Sequence, residues 1–191
     1  MSGPGDTIRW LTEILVQLGI AHMVVGSFAS SAHGVPRTTQ DIDVVFDPSP
    51  DALEHFLAAI DRDRFYVDLD VARQELRCRG MFNIIDLTTG WKVDLVFRKD
   101  TAHAHEELRR RVAGLIAGVP AALATAEDVI IAKLAWARDS QSERQFADIA
   151  GILAMRGDQL DRAYLDRWID ELDLRPTWDR VPVERSSARP M

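Results

Sequence analysis

The sequence predicts an α+β fold: a mixed sheet flanked by helices in the front part of the chain, and a C-terminal helical bundle behind it. Three observations carry this expectation. As far as about residue 124, short apolar runs alternate with segments of helical apolar spacing. From Thr125 on, only the helical spacing continues. Between the apolar runs 81–87 and 91–97, Thr88-Thr89-Gly90 is a hairpin signal. The expected division is an α/β core over residues 1–124, a helical region packed on it over 125–183, and a flexible tail over 184–191.

The elements follow from local pattern. Ile8, Leu11, Ile14, Leu15 and Leu18 recur at helical spacing, and Gly19 is a plausible stop. Residues 22–25 form a short apolar strand that runs into Gly26. Ser27 can cap a short helix over 28–33, which Gly34 and Pro36 end. Residues 41–46 read as the next strand, and 51–60 as an amphipathic helix after the Pro48-Ser49-Pro50 turn. A helix over 68–77, the two hairpin strands and a helix over 102–110 follow. Residues 112–116 and 120–123 read equally as a second hairpin or as more helix. In the back part, helices are expected over 125–138, 142–155 and 161–172, then a last short one.

Composition narrows the class. The chain has 191 residues, 47% hydrophobic and 28% charged, an ordinary balance for a soluble domain. No apolar run is long enough to span a membrane, and the first ten residues lack the pattern of a signal peptide. Cys78 is the single cysteine, which excludes an intrachain disulfide or a cysteine-rich zinc site and fits a cytoplasmic location. The net charge of −7 argues against binding nucleic acid through a broad basic surface.

The chemistry lies in the acids. In a strand, residues i and i+2 share a face, so Asp41 and Asp43 project together while Ile42 and Val44 turn to the core. Two carboxylates about 4 Å apart repel by about 4 kcal/mol at an effective dielectric of 20. A divalent cation compensates this, and oxygen-only ligands point to Mg²⁺ or Mn²⁺. Asp94 lies opposite Val93, Leu95 and Phe97 in the second hairpin strand. If that strand pairs beside 41–46, the three aspartates converge as in two-metal phosphoryl chemistry. Upstream, Gly26 lets a phosphate approach the backbone, and Ser27 begins a helix whose free N–H groups favour an anion. Arg37 precedes the acid pair and can neutralise it. Lys133 sits on an apolar helical stripe and needs a counter-charge, either Asp148 on the next helix or a triphosphate. His33 is expected to be structural, and the tryptophans Trp91, Trp136, Trp168 and Trp178 to pack in the core; His103 and His105, two apart near a helix start, do not share a helix face, which argues against a metal site there.

Together, Gly26-Ser27, the Asp41-Ile42-Asp43 triplet and a later Asp94 resemble the nucleotidyltransferase superfamily of polymerase-beta type. The local form Arg37-Thr-Thr-Gln-Asp41-Ile-Asp43, with Lys133 and Asp148 further on, is similar to the AbiEii/MenT-type branch found among type IV toxin–antitoxin systems. The resemblance implies a polymerase-beta-like sheet and a metal-dependent transfer of a nucleoside monophosphate from a nucleoside triphosphate to an acceptor hydroxyl. It implies Asp41 and Asp43 as metal ligands, Asp94 as a third metal ligand or the general base, and Lys133 as a further catalytic residue. Gly26, Ser27, Arg37, Lys133 and Asp148 are implied as nucleotide-binding residues. The acceptor stays open between a tRNA end, a protein and a small alcohol, and a cognate antitoxin is a further implied partner. Two other readings stay beside it: a non-catalytic nucleotide-binding module of the same fold, and a metal-dependent phosphodiesterase or nuclease.

Overall fold

A computed structural model describes residues 3–140 and 142–182; the predicted tail over 184–191 lies outside them. By its contacts the chain divides into two units. The first takes in the chain up to Ala32 and Pro36–Thr125, and the second takes in His33–Val35 and the chain from Ala126 on.

The first unit opens with α1 (Pro4–Gln17), which starts one turn before the apolar spacing does. Pro4 fits the first helical position, where an N–H would have no intrahelical partner. Ile8, Leu11 and Leu15 form its buried face. Next come β1 (Ala21–Val24), α2 (Gly26–His33), β2 (Asp41–Asp47) and α3 (Pro50–Ala58). Ser49 caps α3 by accepting a hydrogen bond from the Ala52 N–H at 3.2 Å. A three-residue strand, β3 (Phe65–Val67), was not legible beforehand, because three residues are too few to show alternation. It leads into α4 (Leu69–Cys78), capped by Asp68. The hairpin β4 (Met81–Asp86) and β5 (Lys92–Phe97) forms where Thr88-Thr89-Gly90 predicts it. After α5 (Ala102–Arg110), residues 112–123 form a hairpin, β6 (Val112–Ile116) and β7 (Val119–Leu123), which settles the alternative left open by periodicity.

The seven strands make one mixed sheet in the order β3-β4-β5-β2-β1-β7-β6. β2 with β5 and β1 with β7 are parallel pairs; the others are antiparallel. Alternation along β2 and β5 sorts the side chains by chemistry. Ile42, Val44 and Phe46 and their register partners Val93, Leu95 and Phe97 are fully buried. They join Ile8, Leu11 and Leu15 of α1 and Phe56 of α3 in the core. Phe46 packs against Phe97, with ring centres 4.7 Å apart, and against Phe56 and Phe82. Burying each such side chain contributes about 1.5–3 kcal/mol, which locks the β2–β5 register. The opposite face of the same strands therefore carries Asp41, Asp43, Lys92 and Asp94.

The second unit holds α6 (Ala126–Ser140), α7 (Glu143–Arg156), α8 (Arg162–Glu171) and the single turn α9 (Arg175–Trp178). Ile130, Leu134, Ile149, Ile152, Leu165 and Ile169 are buried among these helices. Two acids of the first turn of α6 are buried with partners: Asp128 accepts from the Tyr164 hydroxyl at 2.6 Å, and Glu127 from the Asp161 N–H at 2.7 Å. Gly34 lies so close to Ile152 that a Cβ there would meet the Ile152 backbone nitrogen at 3.0 Å. Trp168 is buried as predicted, and Trp91 and Trp178 are half-buried. Trp136 is 67% exposed, which corrects the expectation that it packs in the core. Its buried neighbours Lys133, Leu134 and Ala137 take the inward positions of α6 and leave Trp136 on the outer face.

Candidate active site

The site is built where β1 ends and β2 begins. The two strands are antiparallel, with Val24 opposite Val44, so the chain leaving β1 passes the start of β2. The Val25 N–H continues the ladder by donating to the Asp43 carbonyl at 2.9 Å. Gly26 then turns into α2 with a φ of +60°, in the left-handed region that glycine enters without strain. There is a second reason for glycine. A Cβ at this position would fall inside the Asp43 carboxylate, with the Asp43 Cγ only 2.7 Å away. The Ser27 backbone N–H meets that carboxylate. Gly26 is itself the first residue of α2, two residues earlier than a Ser27 cap implies.

The parallel β2–β5 pair brings in the third acid. Asp43 and Asp94 are register partners, and Asp41 is the partner of Lys92. Asp41, Asp43 and Asp94 thus come together on one face, as the strand pairing required. Burial comes first, and the neighbouring Asp94 and Asp41 carboxylates second, in pushing the Asp43 carboxyl above its ordinary range. Lys92 and the Ser27 N–H only partly offset this. The repulsion inferred from the Asp-x-Asp spacing is therefore present in the fold.

Sequence reasoning missed Lys92. Its ammonium lies 2.9 Å from Asp94 Oδ2 and 3.4 Å from Asp41 Oδ1. Its hydrogen bond to Asp94, against a smaller opposing effect of burial, raises its pKa. The available signal was the same i, i+2 rule applied to Asp41 and Asp43: in β5, Lys92 shares a face with Asp94.

Arg37 reaches back from the loop after α2 and donates from Nη2 to the Ser27 hydroxyl. Arg37, Gly26 and Ser27 thus join the acids within the first unit. Phe28 of α2 packs on Trp91 at 6.0 Å between ring centres, which ties the start of the helix to the start of β5. Lys133 and Asp148 come together in the second unit. The Lys133 ammonium lies 2.5 Å from Asp148 Oδ2 and 3.3 Å from Gln145 Oε1, and both charged side chains are almost fully buried. Arg138 and Arg144 are solvent-exposed, Arg138 pairing with Asp139. His33 is buried, and His105 pairs with Asp100 at 2.9 Å on the surface.

The donor set suits a hard divalent cation in kind: three carboxylates on one face, with the buried Asp94 Oδ1 lacking a hydrogen-bond partner. With the side chains as placed, no group of three His, Cys, Asp or Glu among the described residues forms a ready-made metal cluster. An ammonium sits between Asp41 and Asp94 instead.

No family model matches the sequence, and no curated protein matches it. Solved structures do. The chain is similar to ANT(2'')-Ia in complex with adenylyl-2''-tobramycin, with a TM-score of 0.58 at 14% identity over 93% of this chain and 99% of that one. It is similar to an antigenic nucleotidyltransferase-like protein from Paracoccidioides brasiliensis, with a TM-score of 0.55 at 16% identity over 95% and 94%. It is also similar to the lincomycin-bound lincosamide antibiotic adenylyltransferase LnuA, with a TM-score of 0.52 at 8% identity over 78% and 96%. The chain therefore has the nucleotidyltransferase fold, the mixed sheet that the sequence predicts.

Proposed function

We propose that the protein is a metal-dependent nucleotidyltransferase, which moves a nucleoside monophosphate from a nucleoside triphosphate to an acceptor hydroxyl. One observation carries this reading: Asp41, Asp43 and Asp94 stand on one face, with Asp43 and Asp94 as register partners and Asp43 directly against the Gly26-Ser27 turn. Among the described residues no helix is long and apolar enough to cross a membrane.

Asp41, Asp43 and Asp94 would hold Mg²⁺ or Mn²⁺. The metal, when bound, supplies positive charge to the attacking and leaving oxygens. Gly26 and Ser27 line the phosphate side, and the turn at Gly26 leaves no side chain in the way. Arg37, bonded to the Ser27 hydroxyl, brings a fixed positive charge to the same side. The acceptor oxygen forms a bond to the α-phosphorus as the bond from that phosphorus to the β-bridging oxygen breaks. The acceptor proton passes to Asp94, whose Oδ1 is buried and has no other hydrogen-bond partner. Pyrophosphate leaves.

The similarity to ANT(2'')-Ia and LnuA makes a small hydroxylated antibiotic one acceptor to test, beside an RNA end and a protein hydroxyl. The finer placement in the AbiEii/MenT-type branch, with a cognate antitoxin, rests on the Arg37-to-Asp43 pattern with Lys133 and Asp148. The deciding experiment incubates the full chain with each α-labelled nucleoside triphosphate, Mg²⁺ and one acceptor class at a time. Transfer of label that Asp41→Ala and Asp43→Ala both abolish is the expected result. Absence of nucleotide binding by calorimetry with all four triphosphates would overturn the proposal. Cleavage of nucleic acid with Mg²⁺ alone would replace it with a phosphodiesterase.

A further inference from the structure

We infer that Lys92 is a built-in counter-cation of the three-aspartate site, which suppresses binding of a free divalent ion and yields when that ion arrives together with a triphosphate. The inference rests on the nucleotidyl-transfer reading above and concerns how that site loads.

Two features of the fold put the ammonium there. Strand alternation places Lys92 on the face of Asp94, two residues on. The parallel register places it opposite Asp41. The resulting contacts, 2.9 Å to Asp94 and 3.4 Å to Asp41, bridge carboxylates from two strands. The neutralisation is partial: one positive charge serves three carboxylates. Lys92 contacts Asp94 and Asp41 and reaches Asp43 through its charge, and Asp94 Oδ1 keeps no hydrogen-bond partner. The site thus retains a demand for positive charge that a dication meets better than an ammonium.

The residue type matters. An arginine would fork onto the carboxylates in a fixed plane, whereas lysine is a point charge on a flexible stem. The Lys92 side chain is 37% exposed, so it has room to swing away. A divalent ion arriving alone must displace the ammonium into water. One arriving with a triphosphate offers the displaced ammonium phosphate oxygens in exchange. Metal and nucleotide are thereby coupled: each raises the affinity for the other by the same factor.

The test titrates Mn²⁺ into the full chain by calorimetry, with and without a non-hydrolysable nucleoside triphosphate analogue. It compares the natural protein with Lys92→Met and Lys92→Arg. Without nucleotide, Lys92→Met is expected to bind Mn²⁺ about tenfold more tightly, within the usual range of coupling between two sites. Lys92→Arg is expected to keep the suppression. With the analogue present, the advantage of Lys92→Met should largely vanish. Equal or weaker Mn²⁺ binding by Lys92→Met, or an advantage that persists undiminished with nucleotide, overturns the inference. If Lys92→Met does not fold, Lys92→Gln, which keeps a polar head without charge, is read in its place. Absence of Mn²⁺ binding in every protein even with nucleotide would sink the nucleotidyl-transfer reading, and this inference with it. Binding that ignores Lys92 sinks this inference alone.

Discussion

Asp43 and Asp94 are register partners on neighbouring parallel strands, and the side chains of both leave the same face of the sheet. Parallel strands lie about 4.8 Å apart, so the two carboxylates are held close by backbone that neither can move. The core behind them fixes this arrangement, since Ile42 and Val44 pack beside Val93 and Leu95. The apolar face thereby imposes a repulsion on the polar one.

Asp43→Asn is therefore expected to separate stability from function. Nucleotidyl transfer should fall at least about a hundredfold, the scale of losing one group that stabilises transition-state charge. The melting temperature of the metal-free protein should hold or rise, because a like-charge contact is relieved. Thermal denaturation beside a transfer assay checks both. A clear fall in melting temperature would show that Asp43 supports the fold rather than straining it.

Gly26→Ala tests the turn. The methyl group would enter the Asp43 carboxylate and hold alanine at a φ of +60°. A non-glycine residue in such a conformation costs about 1–3 kcal/mol, before the steric conflict is added. Urea denaturation should show at least that loss, and transfer should fall with it. Gly90→Ala is the control. It also has a positive φ, +74°, but open space around its Cβ position, so it should lose stability and leave transfer intact.

The site was legible in the sequence wherever strand periodicity governs it. Asp41, Asp43 and Asp94 share a face because side chains alternate, and the apolar partners on the other face made that alternation visible. Lys92 obeys the same rule, but a lysine beside a turn usually means a solvated edge, and only the β2–β5 register shows what stands opposite it. β3 escaped notice because three residues carry no period. The hairpin over 112–123 stayed ambiguous because Gly114, Pro120 and its alanines mark neither period clearly. Trp136 went astray for a related reason: its aromatic ring suggested core, yet α6 already turns Leu134 and Ala137 inward.

Acid titration should expose the far end of β2. Burial pushes the Asp47 carboxyl up, but hydrogen bonds from Arg98 at 2.8 Å and Arg79 at 3.0 Å, with their charges, outweigh it and hold the pKa below the ordinary value. A carboxyl whose folded pKa is depressed contributes stability above its unfolded value, near 3.8, and loses it as the pH falls through the folded one. Unfolding free energy should therefore decline below about pH 4 more steeply in the natural protein than in Asp47→Asn. At neutral pH, Asp47→Asn should cost about 1–2 kcal/mol, the scale of losing charge-assisted hydrogen bonds at a part-buried site. Parallel pH slopes for the two proteins would refute the assignment.

Lys133 and Asp148 join α6 to α7 through a buried ion pair, and the environment decides what a mutation there does. Lys133→Met leaves the Asp148 carboxylate without its ammonium in an almost closed site, and removing one partner of such a pair costs about 3–5 kcal/mol. The double variant Lys133→Met, Asp148→Leu replaces both charges with apolar groups and should recover most of that loss, because neither desolvated charge remains. Guanidinium denaturation of the two proteins gives the comparison.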